Sequence, residues 1–309
     1  MLNRRPIFIN GFARGGTNIL LNILRSHPDV CSPYGETREV FLGTHGINKW
    51  VCRILYYLPI RLYFNANIFA QYRHDSAIAG HTTYPAWLLQ HIDRVFYQSK
   101  QRARAADQNK YKAEGIEYTV EEIKRSRLLC KNVNAVIFLS DLFRQIYPDA
   151  AFIALVRNGL ALCEAYKRRK GWSAEKTAVM YRNITQKMLE DTVRCPRSYL
   201  IKFEEIVAHP LWSIEHIYDW LDLDLGMVNK IRLQNKRVLS KDGEHQLAHQ
   251  GPFKELRWYR LDELERYFVQ GVNQNQIRRL SDKEQADFLR IAGATMEALG
   301  YETSARAAG

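Results

Sequence analysis

Cysteine is scarce in this chain, with five among 309 residues, and no two of them form a CxxC pair. They are odd in number and far apart, at Cys31, Cys52, Cys130, Cys163 and Cys195. This spacing argues against a zinc site and against a disulfide framework. We therefore expect no metal centre, and a reducing compartment, the cytoplasm.

Long apolar runs are also missing. Met1 to Arg5 lead directly into a short apolar segment, without the run typical of a signal peptide. The stretch Trp50 to Ala70 is rich in apolar residues, but Arg53, Pro59 and Arg61 leave its uninterrupted runs too short to span a bilayer. We interpret it as a helix packed on the core. The alternatives are a substrate lid and a helix in peripheral contact with the inner face of the membrane.

The charge balance is basic, because 45 Lys and Arg residues outnumber 33 Asp and Glu and give a formal net charge of +12. Such an excess suits an anionic partner such as a nucleic acid, an anionic lipid, a nucleotide or a sulfated substrate. No basic tail and no nucleic-acid-binding motif is present, so we do not expect nucleic acid. Hydrophobic residues make up 46% of the chain, which is ordinary for a globular protein with a packed core.

Strand and helix patterns alternate along the chain. Ala151 to Val156 is a continuous apolar run of the kind that forms a strand covered on both faces. Pro6 to Asn10 is a similar short run, and apolar residues at helical spacing follow it from Ile19 to Ser26. Arg127 to Val133 and Ser198 to Phe203 are further candidate strands. This alternation implies βαβ units around a mainly parallel sheet.

We therefore predict a single domain over residues 1–309, an α/β fold of the P-loop type with three layers, α/β/α, and a mainly parallel central sheet. The stretch 42–126 fits the alternation poorly, and we predict a helical insertion there. The stretch 226–309 is polar and then helical, and we predict a C-terminal closing segment that packs on the same domain.

The clearest chemical signal is the Gly-rich segment Gly11 to Asn18, between the first strand and the first helix. At such a junction, backbone N–H groups and a helix N-terminus face a phosphate. Thr17 stands where nucleoside-triphosphatase loops have lysine, and Asn18 where they have the magnesium-binding Ser or Thr. The cation lies inside the loop, as Arg14. We predict a phosphate-binding loop for a metal-independent donor; the alternative is an ordinary glycine turn that caps a helix.

The run Pro6 to Leu21, with His27 to Val30 behind it, resembles the 5′-phosphosulfate-binding segment of the sulfotransferases. In that family the arginine or lysine of the loop contacts the 5′-phosphosulfate and its bridging oxygen. The resemblance implies that role for Arg14 and implies a donor, 3′-phosphoadenosine 5′-phosphosulfate (PAPS). It also implies a set of loop groups that bind the donor, namely Gly15, Gly16, Thr17 and Asn18. The resemblance runs from about Pro6 to Leu225 and is poor in the middle.

Glu36 stands in a turn, Gly35 to Arg38, downstream of the loop. Its carboxylate is a candidate general base that removes the proton from an attacking hydroxyl; a solvated surface glutamate is the alternative. Glycan sulfotransferases carry a catalytic glutamate at this place, and the run Glu-Thr-Arg resembles the tyrosylprotein sulfotransferases. The resemblance implies Glu36 as the base and Arg38 as a cation that orients the substrate.

Two further cations stand at the ends of later strands. Many members of the family have a lysine where this chain has Lys131, and a lysine beside the leaving group offsets developing negative charge. A surface lysine is the alternative. Arg157 follows a strand where open α/β sheets bind ligands, and Val156 to Gly159 resembles the family's 3′-phosphate-binding segment.

One position departs from the family. The serine that binds the 3′-phosphate from the following helix is replaced by Ala165. One contact to that phosphate is therefore unassigned, and the candidates for it are Tyr166, Lys167, Arg168 and Lys241.

We predict a sulfotransferase that transfers a sulfuryl group from PAPS to a hydroxyl acceptor, a glycan in our preferred interpretation, without a metal. A tyrosylprotein-type acceptor is the alternative within the family. Outside it, a P-loop kinase needs the loop lysine and the magnesium-binding hydroxyl that this loop lacks. A non-catalytic nucleotide-binding protein would keep Arg14 and Arg157 and would not need Glu36.

Overall fold

The computed structural model describes residues 1–33, 35–42, 54, 58–63, 83–103, 119–234 and 256–303. Much of the predicted insertion at 42–126 and part of the predicted closing segment at 226–309 therefore lie outside the described residues. The same holds for most of Trp50 to Ala70. Among the described helices, none is both long and apolar enough to cross a membrane.

A five-stranded sheet lies at the centre of the described part of the chain. Its strands are β1 (Ile7–Gly11), β2 (Val30–Cys31), β3 (Arg127–Val133), β4 (Ala151–Val156) and β5 (Ser198–Lys202). Every neighbouring pair is parallel, and the spatial order is β2-β3-β1-β4-β5. The predicted parallel sheet is confirmed, with β2 as a short edge strand that the pattern does not predict.

Helices connect and cover the strands. They are α1 (Thr17–Arg25), α2 (Thr37–Leu42), α3 (Leu58–Tyr63), α4 (Ala86–Arg102), α5 (Val120–Arg125), α6 (Ser140–Ile146), α7 (Gly159–Lys170), α8 (Ala174–Arg194), α9 (Phe203–Ala208), α10 (Pro210–Trp220), α11 (Leu264–Tyr267), α12 (Val272–Ile277) and α13 (Asp282–Ala298). Short 3-10 turns are found at Asn134–Leu139, Leu225–Met227 and Leu261–Glu263.

The central strands are buried on both faces, so their side chains alternate between two cores. Ile7 and Ile9 of β1 pack in one core with residues of α1 and α10. Phe8 points to the other face, where its ring stacks on Phe143 of α6 at 4.6 Å and on Phe152 of β4 at 5.2 Å. Helices therefore cover both faces of the sheet, and the predicted three-layer architecture is confirmed.

Caps fix both ends of α7 and the start of α8. The side chain of Asn158 caps α7 by accepting from the N–H groups of Leu160 and Ala161. Gly171, at φ 64°, ends α7, and Ser173 caps α8 two residues later. The C-terminal end of α7 and the first turn of α8 are therefore held beside each other.

The C-terminal part of the chain packs on the same layers. An antiparallel pair, β6 (Lys230–Gln234) and β7 (Leu256–Arg260), joins the core that contains α1 and α10. The long helix α13 lies against α8, where the rings of Phe288 and Tyr181 are 5.7 Å apart. Among these elements the sequence pattern indicates α13 but not the strand pair.

We expect Phe8→Ala to lower the free energy of unfolding by about 3–5 kcal/mol, because it opens a cavity between the rings of Phe143 and Phe152. Phe8→Leu keeps most of the volume and is expected to cost less than half as much. Urea unfolding of both variants checks this. Equal losses would contradict the assignment of Phe8 to a closely packed core.

Candidate active site at the carboxyl edge of the sheet

A pocket of about 230 Å³ opens where the C-terminal ends of β1 and β3 meet the start of α1. It is lined by Ala13, Arg14, Thr17, Asn18, Glu36, Lys131, Val133, Ala165, Tyr166, Arg169 and Lys170. Among the described residues, the lining contains four cations and one carboxylate, that of Glu36. This is the edge of a parallel sheet at which α/β proteins bind ligands.

The segment Gly11 to Asn18, which we call the phosphate loop, leaves the start of α1 open to the pocket. The N-cap residue Gly16 has no side chain to cap the helix, and no acidic residue stands in the first turn. The N–H groups of Thr17 and Asn18 have no acceptor among the described residues. The positive end of the helix dipole is therefore uncompensated, as an anion site requires.

Glycine is required in the phosphate loop by packing. Gly16 has φ 92°, and a Cβ there would stand 2.3 Å from the ring of Phe203. At Gly11 a Cβ would stand 2.7 Å from Thr17 Cγ2 and 3.0 Å from the carbonyl oxygen of Leu155. The loop is thus pressed against β4 and α9, and its open side is the pocket.

Arg14 lies at the tip of the loop with a left-handed backbone, φ 70°. Its side chain is exposed and lines the pocket. No acidic side chain among the described residues pairs with it. The predicted loop cation is therefore placed where it can meet an anion held by the N–H groups behind it.

Lys131 joins the loop to Glu36. Its Nζ lies 2.7 Å from Glu36 Oε1 and also donates to Asn18 Oδ1. Only 8% of the Lys131 side chain is exposed, whereas 41% of the Glu36 side chain is. The structure therefore brings together Arg14, Asn18, Glu36 and Lys131, which the sequence analysis selected from separate segments.

The backbone holds Glu36 at the start of α2. Its N–H donates to Glu39 Oε2 at 2.7 Å, and its carbonyl accepts from the N–H groups of Glu39 and Val40. The carboxylate is thus fixed on one side by the first turn of a helix and on the other by Lys131. A half-exposed carboxylate so held can take a proton from a ligand in the pocket.

The end of α7 supplies two pocket cations, Arg169 and Lys170, that the sequence analysis did not select. It carries four in succession, and the first two are paired: Lys167 with Glu284 at 2.5 Å and Arg168 with Glu164 at 2.7 Å. The next two, Arg169 and Lys170, line the pocket and have no acidic partner among the described residues.

Of the three candidates for the unassigned phosphate contact that the structure describes, Tyr166 alone lines the pocket. Its hydroxyl donates to Asn134 Oδ1, which also accepts from the N–H of Ala13. Lys167 and Arg168 bind carboxylates, and Lys241 lies outside the described residues. Arg169 stands one helical turn after Ala165 on the same face, and it provides a cation near the position of the missing serine.

Positively charged side chains from three parts of the fold repel the ammonium group of Lys170. Burial lowers its pKa, and so do the charges of Arg14, Arg38 and Lys176. Arg38, the predicted substrate-orienting residue, therefore lies within electrostatic reach of the pocket. Such mutual repulsion between cations is relieved when an anion binds among them.

Arg157 lies behind the loop, outside the pocket lining. It is 6% exposed, and its Nη1 donates to the carbonyl oxygen of Arg14 at 2.6 Å. Its Nε and Nη2 donate to Asn273 Oδ1 at 2.9 and 2.7 Å, and Nη2 also donates to Gln276 Oε1. Its guanidinium lies 4.4 Å from the Phe203 ring centroid. Arg157 thus supports the backbone of the phosphate loop from behind. Its contact with a 3′-phosphate stays a prediction.

Glu204 is the carboxylate that balances this buried guanidinium. Burial lowers the pKa of Arg157 to about 10, and the charge of Glu204 opposes the shift. Glu204 accepts from the N–H of Asn158, from Asn273 Nδ2 and from the hydroxyl of Tyr301. The sequence analysis selected neither Glu204 nor Asn273. Within the described ranges no cluster of three or more His, Cys, Asp or Glu could hold a metal ion.

The model of a sulfotransferase family matches residues 6–226. This range contains the phosphate loop, Glu36, Lys131 and Arg157. Because the match covers most of the chain, this protein belongs to the sulfotransferase family. Comparison with curated protein sequences gave no match.

Solved structures of low identity resemble the chain. The sulfotransferase domain of the Synechococcus PCC 7002 olefin synthase is 15% identical, with a TM-score of 0.48, over 97% of this chain and 96% of that one. A sulfotransferase domain from the curacin biosynthetic pathway is 16% identical, with a TM-score of 0.48, over 97% and 99%. A sulfotransferase from Mycobacterium avium is 15% identical, with a TM-score of 0.43, over 97% and 78%. The family assignment rests on the family match alone.

We expect Gly16→Ala to destabilise the protein more than Gly171→Ala. Both positions have a left-handed backbone, which costs alanine about 1–2 kcal/mol. Only at Gly16 does the added methyl also meet an aromatic ring, since nothing lies within 4 Å at Gly171. Urea unfolding of the two variants gives the comparison. Equal losses would show that the loop is not pressed against Phe203.

Proposed function

We propose that this protein transfers a sulfuryl group from PAPS to a hydroxyl of a glycan, without a metal ion. The observation that carries the proposal is the contact of Lys131 with both Glu36 and Asn18. This contact supports the proposal because the Glu36 carboxylate, our proposed base, lies beside a loop whose helix N-terminus is open. A tyrosylprotein-type acceptor remains the alternative, because the run Glu36 to Arg38 resembles that class.

The loop fits the 5′-phosphosulfate of the donor. Its N–H groups at Thr17 and Asn18 and the guanidinium of Arg14 offer donors on one side of the pocket, and Gly15 and Gly16 let the anion approach the backbone. PAPS supplies the sulfuryl group and, as leaving group, a phosphate oxygen. In our proposal Lys131 and Arg14 stabilise the negative charge that develops on that oxygen.

The 3′-phosphate has two proposed contacts. Arg157 makes four hydrogen bonds to protein acceptors, which leaves one of its five N–H groups for the phosphate. We assign the second contact to Arg169, because it lines the pocket one turn after Ala165. We prefer Arg169 to Lys167 and Arg168 for this phosphate contact, because the side chains of those two residues form ion pairs with carboxylates.

Glu36 acts as the base in this proposal. The acceptor oxygen forms a bond to sulfur while the bond between sulfur and the bridging phosphate oxygen breaks. The acceptor proton passes to the Glu36 carboxylate. Positioning by the rigid loop and electrostatic stabilisation by the cations account for most of the rate.

The first test concerns Glu36. We expect Glu36→Gln to reduce kcat for transfer of labelled sulfate by about 10² or more, because the amide cannot accept the acceptor proton. The affinity for 3′,5′-adenosine bisphosphate is expected to change less than threefold. Glu215→Gln, at an exposed position of α10, is the control with unchanged activity. Full activity of Glu36→Gln would remove Glu36 from the mechanism.

The second test concerns the donor. At a hundredfold excess over Kd, 3′,5′-adenosine bisphosphate should stabilise the protein by about 2.7 kcal/mol in thermal unfolding. Because the loop lacks the P-loop lysine and hydroxyl, ATP with magnesium should have little effect. We expect Arg14→Ala to weaken the bisphosphate about 10- to 100-fold.

The control for this test is Arg4→Ala, an exposed position before β1 at the opposite edge of the sheet. It is expected to bind the bisphosphate as the wild type does. Stabilisation by ATP with magnesium alone would favour a kinase. Equal binding by Arg14→Ala and the wild type would contradict the site assignment.

A further inference from the structure

An aromatic side chain holds two lysines at the edge of the pocket. Trp172 lies in the turn between α7 and α8, with its ring centroid 5.0 Å from the Nζ of Lys170 and 4.5 Å from the Nζ of Lys176. The Tyr166 ring packs on Trp172 at 5.0 Å and also contacts Lys170, at 5.2 Å. Two ammonium groups are thus held near each other although like charges repel.

Helix stability explains only one of these lysines. Cations at the end of α7 are favoured by the helix dipole, so Lys170 fits its position. Lys176 stands in the first turn of α8, where the dipole disfavours a cation. Neither lysine has an acidic partner among the described residues. The aromatic rings fix the positions of the two ammonium groups, and an anion bound between them would offset their mutual repulsion.

Lys170 lines the same pocket as Glu36, and the Trp172 ring joins Lys176 to Lys170. The charges of Arg14, Arg38 and Lys176 act on Lys170, which lines the pocket together with Glu36. Arg38 stands two residues after Glu36, on α2, and not on the phosphate loop. We call the group formed by Arg38, Lys170, Trp172 and Lys176 the cation platform. It is linked to Glu36 by Lys170, which lines the same pocket, and by Arg38, which follows Glu36 in the chain.

We propose that the cation platform binds an anionic group of the acceptor, and that the acceptor is an acidic sugar, with a carboxylate or a sulfate ester beside the hydroxyl to be sulfated. This inference rests on the proposed sulfuryl transfer and deepens it by naming the acceptor class. Lys170 and Lys176 contact the anion, and Trp172 positions their ammonium groups. The loop cation Arg14 and the buried Lys131 remain with the donor.

The test compares two acceptors with the same ring hydroxyls, p-nitrophenyl β-D-glucuronide and p-nitrophenyl β-D-xyloside, which differ only in the carboxylate. We expect the wild type to prefer the glucuronide in kcat/KM. In Lys170→Gln/Lys176→Gln that preference should fall about tenfold, mainly through KM. The variant should sulfate the xyloside within threefold of the wild type and bind 3′,5′-adenosine bisphosphate within twofold. Trp172→Leu should lose part of the preference.

Lys167→Gln is the matched control, because Lys167 stands on the same helix and binds Glu284 instead of facing the pocket. It is expected to keep the wild-type preference. Weaker binding of the bisphosphate by the double variant would overturn the inference by assigning the lysines to the donor. Equal losses with both sugars would also overturn it, since a structural defect acts on both.

The outcome separates the inference from the proposed function. If the wild type sulfates the glucuronide and the xyloside equally well, the acidic-acceptor inference fails and the sulfuryl transfer stands. If it transfers sulfate to neither sugar and does not bind the bisphosphate, the proposed function fails and the inference fails with it.

Discussion

The contact between one buried ammonium and two acceptors holds the site together. Lys131 is fixed by β3, next to the strand that leads into the phosphate loop, and it reaches Glu36 from one side and Asn18 from the other. A charged amine with an 8% exposed side chain is stable only beside such partners. Removing either partner would leave the buried ammonium with one acceptor fewer. The positions of Glu36, the phosphate loop and β3 therefore depend on one another.

The phosphate loop is supported from behind by a second buried charge. Arg157 binds the carbonyl of Arg14, while Asn273 and Gln276 of the C-terminal part of the chain hold its guanidinium. Glu204 completes this network. The N–H groups and side chains on the front of the loop are thereby oriented before a ligand binds. Such preorganisation is the main source of electrostatic catalysis.

Much of the site could be predicted because it lies where short local patterns meet strand ends. The phosphate loop follows a buried apolar strand, and Lys131 and Arg157 stand at the ends of two more. Their proximity follows from the parallel sheet alone. Glu36 needed the family resemblance, since nothing in its own turn distinguishes it from a solvated glutamate.

The remaining parts depend on packing that the sequence pattern does not encode. Four cations end α7, and only the tertiary contacts show that Lys167 and Arg168 bind carboxylates while Arg169 and Lys170 face the pocket. Asn273 stands on a short polar helix without apolar periodicity. The strand β2 has two residues, too few for an alternating pattern.

Sulfuryl transfer without a metal ion is the function that we propose for this site. The most direct measurement is mass spectrometry of wild-type protein incubated with PAPS and a sugar acceptor in the presence of EDTA. We expect the acceptor to gain the mass of one sulfuryl group for each PAPS converted to 3′,5′-adenosine bisphosphate. An unmodified acceptor in EDTA, with sulfation restored by magnesium, would contradict it.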